Sequence, residues 1–173
     1  MALIPSVTTI TSIGYLFLNP SASLVRPADT TAYTVGDLVA NSTTAGSVLP
    51  LLLVSSRNDA GSVLIERVKV HKTSVSITAA SFRVHMFSVA PVPTVGDNAA
   101  FATSGVSGYI GSMDVVMGQV FTDGASGFSD TTFKPIRARL GTGYTVYALI
   151  EARGAYTPSS AETFTVTLDV VQG

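Results

Sequence analysis

The chain has no cysteine among its 173 residues. Disulfides, thiolate metal centres and a cysteine nucleophile are therefore excluded. Tryptophan is absent too, which takes away the broadest ring for stacking on a sugar. Charge is scarce: ten Lys and Arg stand against eleven Asp and Glu, 12% of the chain with a formal net charge of −1, where roughly 25% is usual. The ten cations are scattered and make no basic stripe in the sequence, so direct nucleic-acid contact is not expected. Long hydrophobic runs are also missing. The most apolar stretch, VLPLLLV at 48–54, is broken by Pro50, whereas a membrane helix needs about twenty residues; no membrane partner is expected. No basic residue precedes Arg26, so the start of the chain does not read as a secretory signal.

What is present is apolar and neutral polar: 46% of the residues are hydrophobic. A β protein covered by Ser, Thr, Ala and Gly fits that balance. A protein that hides much of its exterior against neighbours in an assembly fits it better, because a free monomer ordinarily carries more charge for solubility. The length suits one domain with a sizeable core. Residues 1–22 read as an N-terminal arm or first strand, and 23–173 as a single domain.

Short strands dominate. In ETFTVTLDVV at 162–171, Phe164, Val166, Leu168 and Val170 alternate with Thr163, Thr165, Thr167 and Asp169. This period of two gives a strand with one buried face. Ile136, Ala138 and Leu140 alternate with Arg137 and Arg139, and after GTG at 141–143 the segment 144–152 reads as the return strand of a hairpin spanning 133–152. Further strands are predicted at 31–40, 48–54, 62–75, 81–89 and within 108–116. In 62–75 the adjacent Leu64 and Ile65 break the alternation, which a bulge or burial of both faces explains. With Gly and Pro turns and no long helical face, the fold class is all-β, an antiparallel β-sandwich of Greek-key or jelly-roll type.

Catalytic signals are weak, and no cofactor is implied. His71 and His85 lie in predicted strands without the further ligands that a metal site needs. Asp123 and Asp130 bracket GASGFS, a loop-like segment with oxygen ligands for calcium, yet Asp in such places ordinarily satisfies turn amides. Glu66, Glu151 and Asp169 are candidate carboxylates for glycoside hydrolysis, but sequence fixes no pair face to face. No GxSxG elbow is present, and the short GVSG and GASG motifs lack a phosphate-loop lysine. Tyr109, Tyr144, Tyr147 and Tyr156 would have to form a planar platform to make a carbohydrate-binding module. The expectation is a protein that is not an enzyme.

RPADTTAYTVGDLVANS at 26–42 has the look of a site, with Arg26, Asp29 and Asp37 among hydroxyl groups. Asp29 suits a cap on the following turn, Gly36 a local bend and Asp37 a turn-satisfying role. Asp97 and Asn98 in VGDNAAF suit the same structuring of a loop. Arg26 and Arg57 are candidate interface residues, as electrostatic anchors on loops, with pairing to Asp29 or another loop carboxylate the equal alternative for Arg26. This stretch, with GSVLPLLLV and FRVHMFSVAPVPTVGDNAAF, resembles segments of small structural proteins of tailed bacteriophages, specifically capsid decoration or cement proteins, over much of residues 23–118. The resemblance implies a β-rich protein on the outer surface of the virion. Such a protein stabilises the capsid by bridging neighbouring major capsid subunits, as a dimer or trimer. Phage tail, spike and head-fibre proteins use similar β-domains, and they remain the alternative together with a carbohydrate-binding module.

Overall fold

The computed structural model describes residues 16–130, 132 and 134–172. Most of the expected N-terminal arm, residues 1–15, lies outside the described residues. Thirteen strands follow in order: β1 (Leu16–Leu18), β2 (Ser21–Val25), β3 (Leu38–Val39), β4 (Leu51–Val54), β5 (Ser62–Lys72), β6 (Ser81–Phe87), β7 (Val92–Pro93), β8 (Thr103–Ser104), β9 (Tyr109–Phe121), β10 (Gly124–Ser129), β11 (Ile136–Arg139), β12 (Thr145–Ala152) and β13 (Thr163–Gln172). Among the described residues two single 3-10 turns, Ala45–Ser47 and Val106–Gly108, interrupt the loops.

All but β7 and β8 belong to one hydrogen-bonded sheet in the order β1-β13-β5-β10-β9-β6-β12-β3. β2 continues β1 along β13, β11 adds to β5, and β4 adds to β12. Every one of these pairings is antiparallel. The sheet doubles over, so strands distant in its order meet face to face. Phe82 on β6 packs edge-on against Phe164 on β13, centroid to centroid 5.2 Å, and against Tyr156 at 5.7 Å. This antiparallel β-sandwich encloses its core between the folded halves.

The β13 row is the clearest product of the sequence. Phe164, Val166, Leu168 and Val170 are all buried, while the threonines between them are half-buried on the other face. Each inward side chain contributes roughly 1.5–3 kcal/mol relative to exposure. Ile136 and Ala138 pack against the same core and Leu140 is fully buried. In β5 the register shifts between Ile65 and Arg67, opposite Asp169 and Val170. The bulge turns Val68 and Val70 inward in spite of the adjacent Leu64 and Ile65.

Three strand expectations are corrected. The segment 31–40 contributes only Leu38–Val39, because residues 31–37 form a loop whose amides bond across to other segments. Ile136–Arg139 and Thr145–Ala152 are strands but not a hairpin: β11 pairs with β5, and β12 with β3, β4 and β6. The Gly-containing turn carries the chain to another part of the folded sheet. GASGFS, read as a loop, is strand β10, paired with β5 on one side and β9 on the other. Its small residues answer to close packing rather than to turning. A Cβ on Gly127 would collide with the Val116 carbonyl, and one on Gly124 with the Lys72 carbonyl.

Candidate assembly surface

The stretch at 26–42 is built around a buried ion pair. Arg26 Nη2 donates to Asp97 Oδ2 at 2.8 Å, with both side chains 0% exposed. Arg26 Nε donates to the Tyr33 hydroxyl, which donates to Asp97 Oδ1 at 2.7 Å. The Ala40 amide donates to that oxygen at 2.8 Å. Burial disfavours the guanidinium charge, but Tyr33 and Asp97 outweigh it and raise the Arg26 pKa. The Tyr33 hydroxyl is pushed up chiefly by burial and then by Asp97. Arg26 thus points into the molecule, and a neighbouring subunit has no access to its charge.

The remaining loop residues join the same construction. Asp29 Oδ1 accepts from the Thr31 amide at 3.0 Å, and Asp37 Oδ2 from the amide and hydroxyl of Thr34 at 2.6 and 2.8 Å. Gly36 takes φ 98°, a left-handed conformation that suits glycine, and Asn98 takes φ 60°. The Asn98 amide donates to the Leu38 carbonyl at 2.9 Å, and the Phe101 amide to the Gly36 carbonyl at 2.7 Å. Sequence reading treated the two halves separately, although a signal was available. The tetrapeptide TVGD occurs at 34–37 and again at 94–97, and residues 36–38, at the end of the first copy, pair with 98–101, just after the second. Arg57 stands apart, exposed on the loop after β4, with its amide held by Gln172 Oε1 at 2.9 Å.

The candidate chemical residues do not converge. His71 on β5 bonds Ser126, and His85 lies on β6, with β10 and β9 between the two strands in the sheet. Among the described residues no group of three or more His, Asp or Glu side chains is arranged to hold a metal ion. Asp130 accepts from the Thr132 amide. Glu151 is engaged by His85 and Arg153, and Asp169 by Arg67 and Asn19. Tyr156 is buried; its hydroxyl accepts from Lys72 Nζ at 2.9 Å and donates to Glu162. The Tyr156 hydroxyl pKa is raised, first by burial. Tyr109 meets Phe87 at 62° and His85 at 44°, and with Tyr156 inside the molecule these rings form no planar sugar platform.

Beside Tyr109 lies a slot of about 270 Å³ lined by His85, Phe87, Phe101, Thr103, Val106 and Tyr109. His85 stacks on Phe101 with centroids 4.4 Å apart, and its Nε2 lies 2.7 Å from Glu151 Oε2. Desolvation lowers the His85 pKa against the opposing pull of Glu151. The Glu151 carboxyl is held below its usual value: burial would raise it, but the bonds from His85 and Arg153 prevail.

Apolar exposure is concentrated elsewhere. At the edge formed by β2 and β4, Leu49, Leu52 and Val54 are 69%, 59% and 63% exposed, with Val25 beside them. β2 and β4 lie side by side without pairing, and they flank a cavity of about 520 Å³ lined in part by Leu24, Val25, Leu49 and Leu52. A second apolar region, Val116, Val120 and Phe121, follows the β9–β10 hairpin. Large contiguous apolar patches on a protein surface mark interaction sites.

No family model matches this chain, and no curated protein matches it. Among solved structures it is similar to the BFDV capsid protein, crystallised as a decamer, at 11% identity over 92% of this chain and 100% of that one, TM-score 0.34. It is also similar to a chain of the acid-stable capsid of the Helicobacter pylori bacteriophage KHP30, at 10% identity over 92% and 94%, TM-score 0.31. A chain of Desmodium yellow mottle tymovirus gives 13% identity over 99% and 87%, TM-score 0.28. TM-scores this low leave the question of role to the chain's own surfaces.

Proposed function

We propose that this is a non-enzymatic structural protein of a viral particle that stabilises a bacteriophage capsid by bridging neighbouring major capsid subunits. The observation that carries the reading is the exposed apolar edge of β2 and β4 on a protein that already has a filled core. Such an edge is satisfied by a neighbour. The sequence resemblance to decoration proteins supports the same role and implies an outer-surface location, with the protein acting as a dimer or trimer. Several such contacts made by one oligomer hold a shell by multivalency, since opening one leaves the others tethered.

The test is incubation with matching expanded, undecorated capsids, followed by sedimentation and cryo-electron microscopy. Bound protein that contacts two or more capsid subunits through β2 and β4 is the expected result, and native mass spectrometry should show a dimer or trimer. Binding through this edge should change only modestly between about 50 and about 500 mM NaCl, because salt screens separated charges but not close apolar packing. Failure to co-sediment with competent capsids overturns the bridging role.

A further inference from the structure

Some of the cations that are scattered in the sequence are gathered in space. On β5, the residues facing away from the core include Arg67 and Lys69, since Val68 and Val70 face inward. On β11, Ile136 and Ala138 pack against the core and the exposed Arg137 and Arg139 face out. Arg137 lies opposite Leu64 and Arg139 opposite Ser62 on the same strand β5. Four of the ten Lys and Arg residues therefore share one face of two paired strands, in two pairs whose members are about 7 Å apart along the chain. Three carboxylates stand near them: Asp169, Glu66 and the exposed Asp130, two residues beyond Phe128. Asp169 pairs with Arg67 at 2.6 Å, and Glu66 is exposed at the bulge. Among the described residues no carboxylate lies within ion-pair distance of Lys69, Arg137 or Arg139.

An aromatic ring lies among these cations. Phe128 on β10 sits opposite Lys69 in the register, 42% exposed. The Arg67 guanidinium is 4.6 Å from its centroid and the Lys69 ammonium 5.9 Å. On the other side of β5, Thr165 and Thr167 lie opposite His71 and Lys69, with their hydroxyls hydrogen-bonded to those of Ser23 and Ser21 at 2.7 and 3.2 Å. Cations and hydroxyls suit phosphate oxygens, and an exposed ring suits a base. An acidic protein surface would use the cations and hydroxyls but gain nothing from the ring.

We propose that the outer face of β5, β10 and β11 binds single-stranded nucleic acid, with Lys69, Arg137 and Arg139 on phosphates and Phe128 under a base. Binding at this face is independent of the bridging role.

The test is fluorescence anisotropy of the whole protein with labelled oligothymidylate, in parallel with labelled polyglutamate, and with circular dichroism confirming that each variant is folded. No capsid is present, so the result is separable from the bridging role. Three neutralised phosphates give a slope of log K against log salt of about −2, or roughly a 20-fold loss between about 50 and about 200 mM NaCl. The double substitution Arg137→Ser with Arg139→Ser should shrink the slope by about 1.4. Phe128→Ala should weaken oligothymidylate binding roughly fivefold or more, and Glu66→Gln should strengthen it. No binding at the lower salt overturns the proposal. So does polyglutamate binding of equal strength together with indifference to Phe128→Ala, an outcome that assigns the face to an acidic protein surface.

Discussion

The interior and the β5–β11 face treat charge in opposite ways. Inside, each cation has its carboxylate: Arg26 has Asp97, and Lys72 has Glu162 at 3.3 Å, all with side chains 0% exposed. Both pairs are completed by a tyrosine hydroxyl, from Tyr33 and Tyr156. No buried side-chain nitrogen or oxygen is left without a hydrogen bond among the described residues. On the outer face, Lys69, Arg137 and Arg139 have no such partners. A near-neutral total thus hides two different uses of charge. The buried pairs fasten segments distant in sequence, and the exposed cations remain available to something outside the chain.

The largest predicted effect breaks the inner half of this contrast. Asp97→Ala leaves the buried Arg26 guanidinium with only the partly exposed Asp29 carboxylate, 3.4 Å away, and removes the acceptor of Tyr33 and the Ala40 amide. It should cost about 3–5 kcal/mol in denaturant titration. A loss of under about 1 kcal/mol, the size expected of an exposed pair, would mean that water reaches this pair. Next in size is Leu168→Ala, which opens a cavity in the β13 row and should cost roughly 2–5 kcal/mol. It sets the scale for an apolar truncation against which the ionic one is judged.

A smaller effect comes from His85, which is partly buried and has a depressed pKa. Glu151 from β12, Arg153 just after it, Arg83 from its own strand, and Asp114 and Tyr109 from β9 surround it. The unfolded chain binds the proton more readily than the folded one, so stability is present above 6.5, the ordinary histidine value, and is lost as pH falls through the lower folded value. Denaturation midpoints should therefore decline on acidification from neutrality, and His85→Gln should flatten that decline. Asp114 and Glu151, whose carboxyls are also depressed, add their losses only below the ordinary carboxylate range. Smallest of all, Lys69→Ser and Arg139→Ser should shift stability by less than about 0.5 kcal/mol, since these side chains face away from the core. A larger loss would show that the outer cations are fastening the fold after all.

Legibility in the sequence followed the same division. β13 could be read because one face is buried and the other is not, which writes a period of two into the residues. β10 could not, because it is paired on both sides and crowded by its neighbours, and the glycines that permit this look like turn residues. The β11–β12 hairpin was misread because local turn chemistry does not say to which strand the chain returns. Arg26 stayed open between an outside partner and a loop carboxylate, because its shorter ion pair is to Asp97, 71 positions away. The basic face was invisible because its members come from two segments, 67–69 and 137–139, which only the pairing of β5 with β11 brings together.

β1 and β2 lie along β13, and Asn19 Nδ2 donates to Asp169 Oδ1, 150 positions further on. During synthesis at about 5–20 residues per second, the first of these strands waits roughly 8–30 s for its partner to be made. Through that interval the apolar side chains of β2 and the inward row of β5 have no β13 to cover them. A fold so rich in long-range pairing closes slowly. The protein is therefore most exposed to premature association in the seconds before residues 163–172 emerge.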